Sequence, residues 1–145
     1  MNIDQNQVAV GGAIEKVWGN TRCLVRGHGF EVHYLQIKAG GYCSRHKHRS
    51  KWNQFFVISG FLRVRFFYQD GTEYHRYTLS AGGILCVPPG MLHRFEAVEP
   101  TEAIESYWTN PVDPNDIERL DEGGFVPVSC DHQAVDSVAR NNLRN

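Results

Sequence analysis

Short β-rich segments separated by glycine turns fill the chain between about Val17 and Trp108. The segment from Phe30 to Ile37 is rich in aromatic and β-branched residues and ends at a glycine pair, and the segment from Trp52 to Ser59 ends at Gly60. No helical periodicity competes with this pattern before residue 113. Because many short strands at such spacing are typical of sandwiches and barrels, the pattern predicts an all-β fold of that kind.

The next segment, from Phe61 to Phe67, alternates around two arginines. Alternation in a strand places every second side chain on one face, so the buried face is predicted to carry Leu62, Val64 and Phe66. Phe61 and Phe67 are then expected to face outward and to flank Arg63 and Arg65. An exposed aromatic edge of this kind is typical of a subunit interface and favours a homodimer.

The sequence changes character beyond Trp108. Asp113 is a candidate N-cap before Pro114, which predicts a short helical turn that runs to Leu120. The stretch from Asp131 to Leu143 is compatible with a second helix and equally with a frayed tail.

Length and composition favour one domain. A chain of 145 residues can bury its own core, and we assign residues 1–145 to one domain with a barrel core at about 15–110 and an extension at about 111–145. The formal net charge of -1 gives nucleic acid no electrostatic attraction. The expected partner is therefore a small molecule.

Membrane and secretory signals are not found in the sequence. No stretch approaches the ~20 apolar residues of a membrane span, and the first residues lack the basic start and apolar stretch of a signal peptide. The four cysteines are scattered without a CxxC pair, which favours reduced thiols and a cytoplasmic location. An extracellular protein with two disulfides is the alternative.

Histidines carry the strongest chemical signal. His46 and His48 lie two positions apart in a predicted strand, so their side chains share a face about 6.6 Å apart. A Pro-Gly turn at Pro89-Gly90 precedes His93 and is expected to deliver it from a neighbouring strand. Imidazole nitrogens bind divalent metals at roughly 2.0–2.1 Å, so this set predicts a site for one metal ion.

The same two stretches resemble the paired motifs of the cupin superfamily. The first motif is a glycine, five residues, His-x-His and a later glycine, and it is matched by Gly40, His46, His48 and Gly60. The second is a glycine, five residues, Pro-x-Gly, two residues and a histidine, and it is matched by Gly82, Pro88, Gly90 and His93. The resemblance implies an all-β cupin, a jelly-roll barrel, with short helical elements in its C-terminal part.

Two motif positions depart from the superfamily pattern. The usual glutamate is replaced by Asn53 and the usual asparagine by Ala97. The resemblance implies the metal ligands His46, His48, Asn53 and His93, with the neutral amide oxygen of Asn53 as a weak donor. The ion is one divalent transition metal: Fe, Mn, Zn, Ni or Co. The alternative is that these histidines line a polar cavity without a metal.

A closer resemblance, over about residues 15–124, is to the C-terminal cupin domain of type II mannose-6-phosphate isomerases. It rests on six short matches: Val17–Gly19, Phe30–Val32, Val57–Gly60, Pro88–Phe95, Ile104–Glu105 and Asp116–Asp121. This resemblance implies a sugar-like substrate class.

Strand parity predicts the neighbours of the histidines. Tyr42 and Ser44 share the parity of His46 and are candidates to line a substrate cavity, although packing or mouth-lining is the alternative. Phe55 and Val57 are expected on the inner face as an apolar lining. The opposite parity directs three side chains outward: Cys43, Arg45 and Lys47.

Other titratable residues have weaker signals. Glu105 and Tyr107 could act as a base and a phenol donor, and they equally suit a strand surface. The remaining histidines are expected at the surface or in packing: His28, His33, His75 and His132.

Three functions follow from these patterns. The first is a metal-dependent isomerase, epimerase or lyase that acts on a small polar, sugar-like or phosphorylated metabolite. The second keeps the metal but is a non-haem iron dioxygenase. The third is a non-enzymatic ligand-binding cupin, which the replacement of the anionic ligand by Asn53 makes a real alternative.

Overall fold

A computed structural model describes residues 12–127, and every regular element in that range is a β-strand. The strands are β1 (Ile14–Lys16), β2 (Gly19–Arg26), β3 (Phe30–Ile37), β4 (Gly41–Tyr42), β5 (His46–Lys47), β6 (Trp52–Ser59), β7 (Leu62–Phe67), β8 (Glu73–Leu79), β9 (Ile84–Val87), β10 (Leu92–Ala97), β11 (Thr101–Trp108), β12 (Glu118–Arg119) and β13 (Gly124–Phe125). The predicted all-β class is confirmed. Between residues 12 and 127, no helix is long and apolar enough to cross a membrane.

The strands form two antiparallel sheets. The first has six strands in the order β1-β2-β3-β11-β6-β9. The second has seven strands, in which β12-β5-β10-β4-β13 is extended through β10 by β7 and then β8. Strands that are distant in sequence, such as β3 and β11, are therefore neighbours, and the inner faces of the two sheets enclose the core.

Alternation along the long strands produces that core. On β7 the side chains predicted to be buried, Leu62, Val64 and Phe66, are buried. Phe55 and Val57 of β6 pack into the same cluster from the other sheet. Burial of apolar area at about 25 cal/mol per Å² is the main favourable contribution to such a fold.

An extra residue between β4 and β5 reverses the expected parity there. Tyr42 is paired with Glu96, and His46 is paired with His93. The chain therefore advances four residues from Tyr42 to His46 while β10 advances only three. A bulge of this kind turns the following side chains to the opposite face. Two predictions are therefore wrong: Cys43 is not outward but 6% exposed in the core, and Tyr42 lies outside the barrel.

The prediction of an exposed aromatic edge at Phe61 and Phe67 is also wrong. Phe61 is exposed, but Phe67 is only 5% exposed. The guanidinium groups of Arg45 and Arg65 lie 5.5 Å from the centre of the Phe67 ring, and that of Arg94 lies at 5.9 Å. Phe67 thus points outward, as its position in the strand predicts, but the long side chains of the arginines cover its ring.

No helix forms over residues 113–120. The backbone N–H of Asp116 donates to the carbonyl of Asp113 at 3.1 Å, which makes a turn, and Glu118–Arg119 then pairs with β5. The carboxylate of Asp116 accepts backbone N–H groups from residues 49, 50 and 51 at 2.7, 2.9 and 3.1 Å. These long-range bonds outweigh the local helix signal. The helix or tail predicted over Asp131–Leu143 lies outside the described residues.

Candidate metal centre

Three histidines from the second sheet converge at one end of the barrel. His46 of β5 is the direct partner of His93 on β10, and His48 follows β5 in a loop. The carbonyl of His48 accepts the backbone N–H of Gly90 at 2.7 Å, so the Pro-Gly turn is attached to the histidine loop. The ring centres lie 4.5–5.7 Å apart.

Each ring has a backbone partner that fixes its tautomer. The Nδ1–H groups of His46, His48 and His93 donate to the carbonyls of residues 44, 116 and 91 at 2.8, 2.7 and 2.9 Å. The Nε2 atoms therefore carry the lone pairs. One ring nitrogen of each histidine lies within 4.8 Å of the other two. Within residues 12–127, the buried Nε2 atoms of His46 and His48 have no hydrogen-bond partner.

Burial keeps the three rings neutral. Burial, reinforced by the neighbouring His93 and His48, lowers the pKa of His46 well below its usual value. Burial likewise lowers the pKa of His48 and of His93 to about 4, although backbone hydrogen bonds oppose the shift. Neutral imidazoles with fixed tautomers and Nε2 lone pairs, which are unpartnered at His46 and His48, are the form that binds transition metals, so these residues fit one divalent ion.

Asn53 lies beside the triad and contacts a buried carboxylate. It is fully buried, and its Nδ2 lies 3.0 Å from Oε1 of Glu105 and 3.4 Å from Nε2 of His93. Burial raises the pKa of Glu105, while hydrogen bonds from Tyr107 and Asn53 oppose that shift. The structure therefore brings the four predicted ligand residues together and adds Glu105 from β11.

Comparison with known proteins gives a family. A model described as "Mannose-6-phosphate isomerase C-terminal" matches residues 3–122, which is most of the chain. The chain belongs to the mannose-6-phosphate isomerase C-terminal family. Its fold is the cupin barrel. No curated protein sequence matches the chain.

Solved structures share this cupin fold. Oxalate decarboxylase from Bacillus subtilis is 17% identical with a TM-score of 0.65, over 79% of this chain and 31% of that chain. The capsular polysaccharide assembling protein CapF from Staphylococcus aureus is 25% identical with a TM-score of 0.62, over 75% of this chain and 34% of that chain. KdgF from Halomonas sp. is 16% identical with a TM-score of 0.61, over 78% of this chain and 94% of that chain. The chain thus spans about a third of the length of the first two proteins.

A cavity of about 570 Å³ opens beside His46, one of the three clustered histidines. Its polar lining includes His33, Ser44, His46, Glu105, Tyr107 and Arg119. Ser44 therefore lies where parity placed it, whereas Tyr42 stacks on the outer face beneath Arg94, 4.7 Å from the guanidinium. Phe55 and Val57 face inward but are fully buried in the core, and the Phe55 ring lies 6.4 Å from that of His93.

Two buried charged residues near this cupin site were missed by the sequence analysis. Glu31 and Lys51 are each 3% exposed. The Lys51 ammonium lies 4.6 Å from the centre of the Tyr107 ring and donates to the carbonyl of Asp113 at 3.2 Å. Glu31 contacts Arg26 at 2.7 Å and His33 at 3.2 Å. The available signal was parity, because Lys51 is two positions before Asn53 and therefore shares its face.

Proposed function

We propose that this chain is a metal-dependent cupin enzyme of the isomerase, epimerase or lyase type, acting on a small polar, sugar-like or phosphorylated metabolite. The observation that carries the proposal is the triad of neutral histidines with convergent ring nitrogens, of which His46 lines an open cavity that has both polar and apolar walls. A divalent ion held by His46, His48 and His93 would supply Lewis acidity to a substrate oxygen. The protein itself supplies orientation through the three Nδ1–H bonds, which preset the rings before any ion binds.

The cavity lining supports an oxygen-rich substrate. His33, Glu105 and Tyr107 line it with proton donors and acceptors, and Arg119 provides positive charge where the cavity is lined by β12. The pKa of Tyr107 is raised well above its usual value, first by burial and then by Glu105, so the hydroxyl stays protonated and is a hydrogen-bond donor. The description of the matching family names a sugar phosphate isomerase, which agrees with this choice of substrate class.

A ligand screen tests the proposed substrate class. The metal-loaded protein is heated with sugars, sugar phosphates and sugar acids, and thermal unfolding is followed. We expect at least one such compound to raise the midpoint, because a ligand that binds only the folded state stabilises it by mass action. The shift should shrink in Arg119→Gln and persist in Arg76→Gln, a control on the outer edge strand. No shift with any member of the three classes would contradict the proposal.

A dioxygenase is the second candidate, and one observation favours it. The described triad contains three histidines and no carboxylate, a ligand set that also suits non-haem iron. Oxygen consumption by the Fe(II)-loaded protein with the compounds that stabilise it separates the two chemistries. Uptake that is stoichiometric with product would replace the isomerase proposal.

We also propose that the protein is a cytoplasmic homodimer. In support, Cys23, Cys43 and Cys86 are free thiols. The outer face of the first sheet exposes several large apolar side chains: Trp52, Phe56, Ile58, Ile84 and Trp108. Trp52 and Trp108 stack there at 5.9 Å. Sedimentation should give a dimer that dissociates in Phe56→Glu but not in Tyr68→Glu, and a monomeric wild type would contradict the assignment.

A further inference from the structure

The Asn53 amide nitrogen has two acceptors. It lies 3.0 Å from Oε1 of Glu105 and 3.4 Å from Nε2 of His93. Because Nδ1 of His93 donates to the carbonyl of Met91, Nε2 of that ring is a lone-pair acceptor. A carboxylate oxygen is also an acceptor. Of the two amide atoms, only the NH₂ group has two hydrogens to serve both, so the hydrogen-bond network itself assigns the nitrogen to this position.

The opposite orientation is unfavourable. A half-turn of the amide would place its oxygen against the Glu105 oxygen and the His93 lone pair, which are both electron-rich. In the observed orientation the buried Asn53 oxygen has no partner among residues 12–127. An unpartnered buried acceptor is destabilising, so the contacts of the nitrogen must outweigh that loss. Glu105 makes the shorter of these contacts, and we assign the orientation to it.

We propose that Glu105 holds Asn53 with its N–H group, not its oxygen, toward the metal centre, so that Asn53 is a hydrogen-bond donor to the bound ligand and not a metal ligand. This inference rests on the proposed function. If a divalent ion took the lone pair of His93, the N–H group of Asn53 would lose its ring partner and become available. An oxygen acceptor of the substrate, a carbonyl, carboxylate or phosphoryl oxygen, is the chemistry that satisfies it. In this account Glu105 is a positioning residue that acts through Asn53.

The affinity for Co(II) tests whether Asn53 is a hydrogen-bond donor or a metal ligand. We expect Asn53→Ala to leave the Co(II) dissociation constant within about threefold of wild type, whereas His48→Ala abolishes binding. Loss of even an outer-shell partner commonly weakens metal binding by about 10–100-fold, so a weakening of that size in Asn53→Ala, with a changed visible spectrum of the Co(II) protein, would overturn the proposal.

Glu105→Gln is expected to strengthen metal binding, whereas most substitutions beside a metal site weaken it. The glutamine NH₂ group can donate to the Asn53 oxygen, which permits the half-turn and brings that oxygen to the centre. We expect tighter Co(II) binding and a changed spectrum in Glu105→Gln, and neither change in the Asn53→Ala/Glu105→Gln double variant. Weaker binding in Glu105→Gln, or a gain that persists in the double variant, would contradict the role of Asn53.

Nitrogen NMR of the metal-free protein tests the orientation without any metal. The expected result is a His93 ring protonated at Nδ1, with a through-hydrogen-bond coupling between its Nε2 and the Asn53 side-chain amide. A His93 ring protonated at Nε2 that donates to the amide oxygen would overturn the inference even if the folded variants bind cobalt as expected. Wild-type protein that binds no Co(II) but shows the expected coupling would instead reject the proposed function and confine Glu105 to orienting the amide.

Discussion

Glu96 illustrates, at the scale of a residue, how the outer face of β10 is held together. Its carboxylate lies 2.7 Å from Arg65, 2.5 Å from Arg94 and 3.7 Å from Arg63. Burial alone would raise the pKa of Glu96, but the hydrogen bond from Arg65 and the charge of Arg94 outweigh it, and the pKa is lowered. Since the folded state therefore favours the ionised form, Glu96 stabilises the fold above its unperturbed pKa of 4.5, and this contribution is lost as pH falls through the lowered value.

Glu96→Gln should consequently destabilise the protein in a pH-dependent way. We expect the free energy of unfolding to fall by about 1–3 kcal/mol at pH 7, because charge-assisted hydrogen bonds are lost, and by less at pH 3. Urea denaturation at both pH values measures the difference. Glu99→Gln, at an exposed glutamate, is the control and should have little effect at either pH. An equal loss for Glu96→Gln at pH 7 and pH 3 would show that the ion pairs do not stabilise the fold.

At the scale of elements, the loop after β11 supports the loop after β5. The Asp116 carboxylate accepts three backbone N–H groups from residues 49–51, and its carbonyl accepts Nδ1–H of His48. One residue thus fixes both the histidine loop and the tautomer of one ring. This role of Asp116 could not be predicted from the sequence, because the partners are more than 60 residues apart and the local signal of Asp113-Pro114 favours a helix.

Asp116→Ala should therefore affect stability and metal binding together. Loss of three hydrogen bonds to a carboxylate is expected to lower the free energy of unfolding by about 2–4 kcal/mol and to weaken Co(II) binding by about 10-fold. Asp70→Ala removes a carboxylate that accepts the Thr72 N–H in the turn between β7 and β8 and contacts none of the three histidines, and it should reduce stability without changing metal affinity. Unchanged metal affinity in folded Asp116→Ala would contradict the supporting role.

Sequence patterns predicted the long strands because eight-residue segments rich in aromatic and β-branched residues and followed by glycines are a strong signal. The bounds predicted for β3 and β6 coincide with the observed ones. The short strands β4 and β5 have two residues each, and the extra residue between them reverses the parity of Tyr42 and Cys43. A bulge depends on the register of the partner strand, which periodicity does not contain.

For the whole molecule, the interior is graded from apolar to polar. Val57, Leu62 and Ala103 are fully buried at the apolar part, while His46 and Glu105 line the cavity. Motif spacing predicted which histidines meet, because the two motifs fall on paired strands. It did not predict the charged inner face of the first sheet. Glu31 and Glu105 lie on β3 and β11, Lys51 directly precedes β6, and only tertiary pairing brings these strands together.

Elemental analysis of protein purified without a histidine tag tests the central claim most directly. Wild-type protein, His48→Ala and His75→Ala, a control at an exposed histidine, are compared after loading with Fe(II), Mn(II), Co(II), Ni(II) or Zn(II) and removal of free ion. The account predicts about one equivalent of a divalent transition metal in wild type and His75→Ala, and its loss in folded His48→Ala. No retained metal in wild type with any of these ions, or equal retention in His48→Ala, would contradict it.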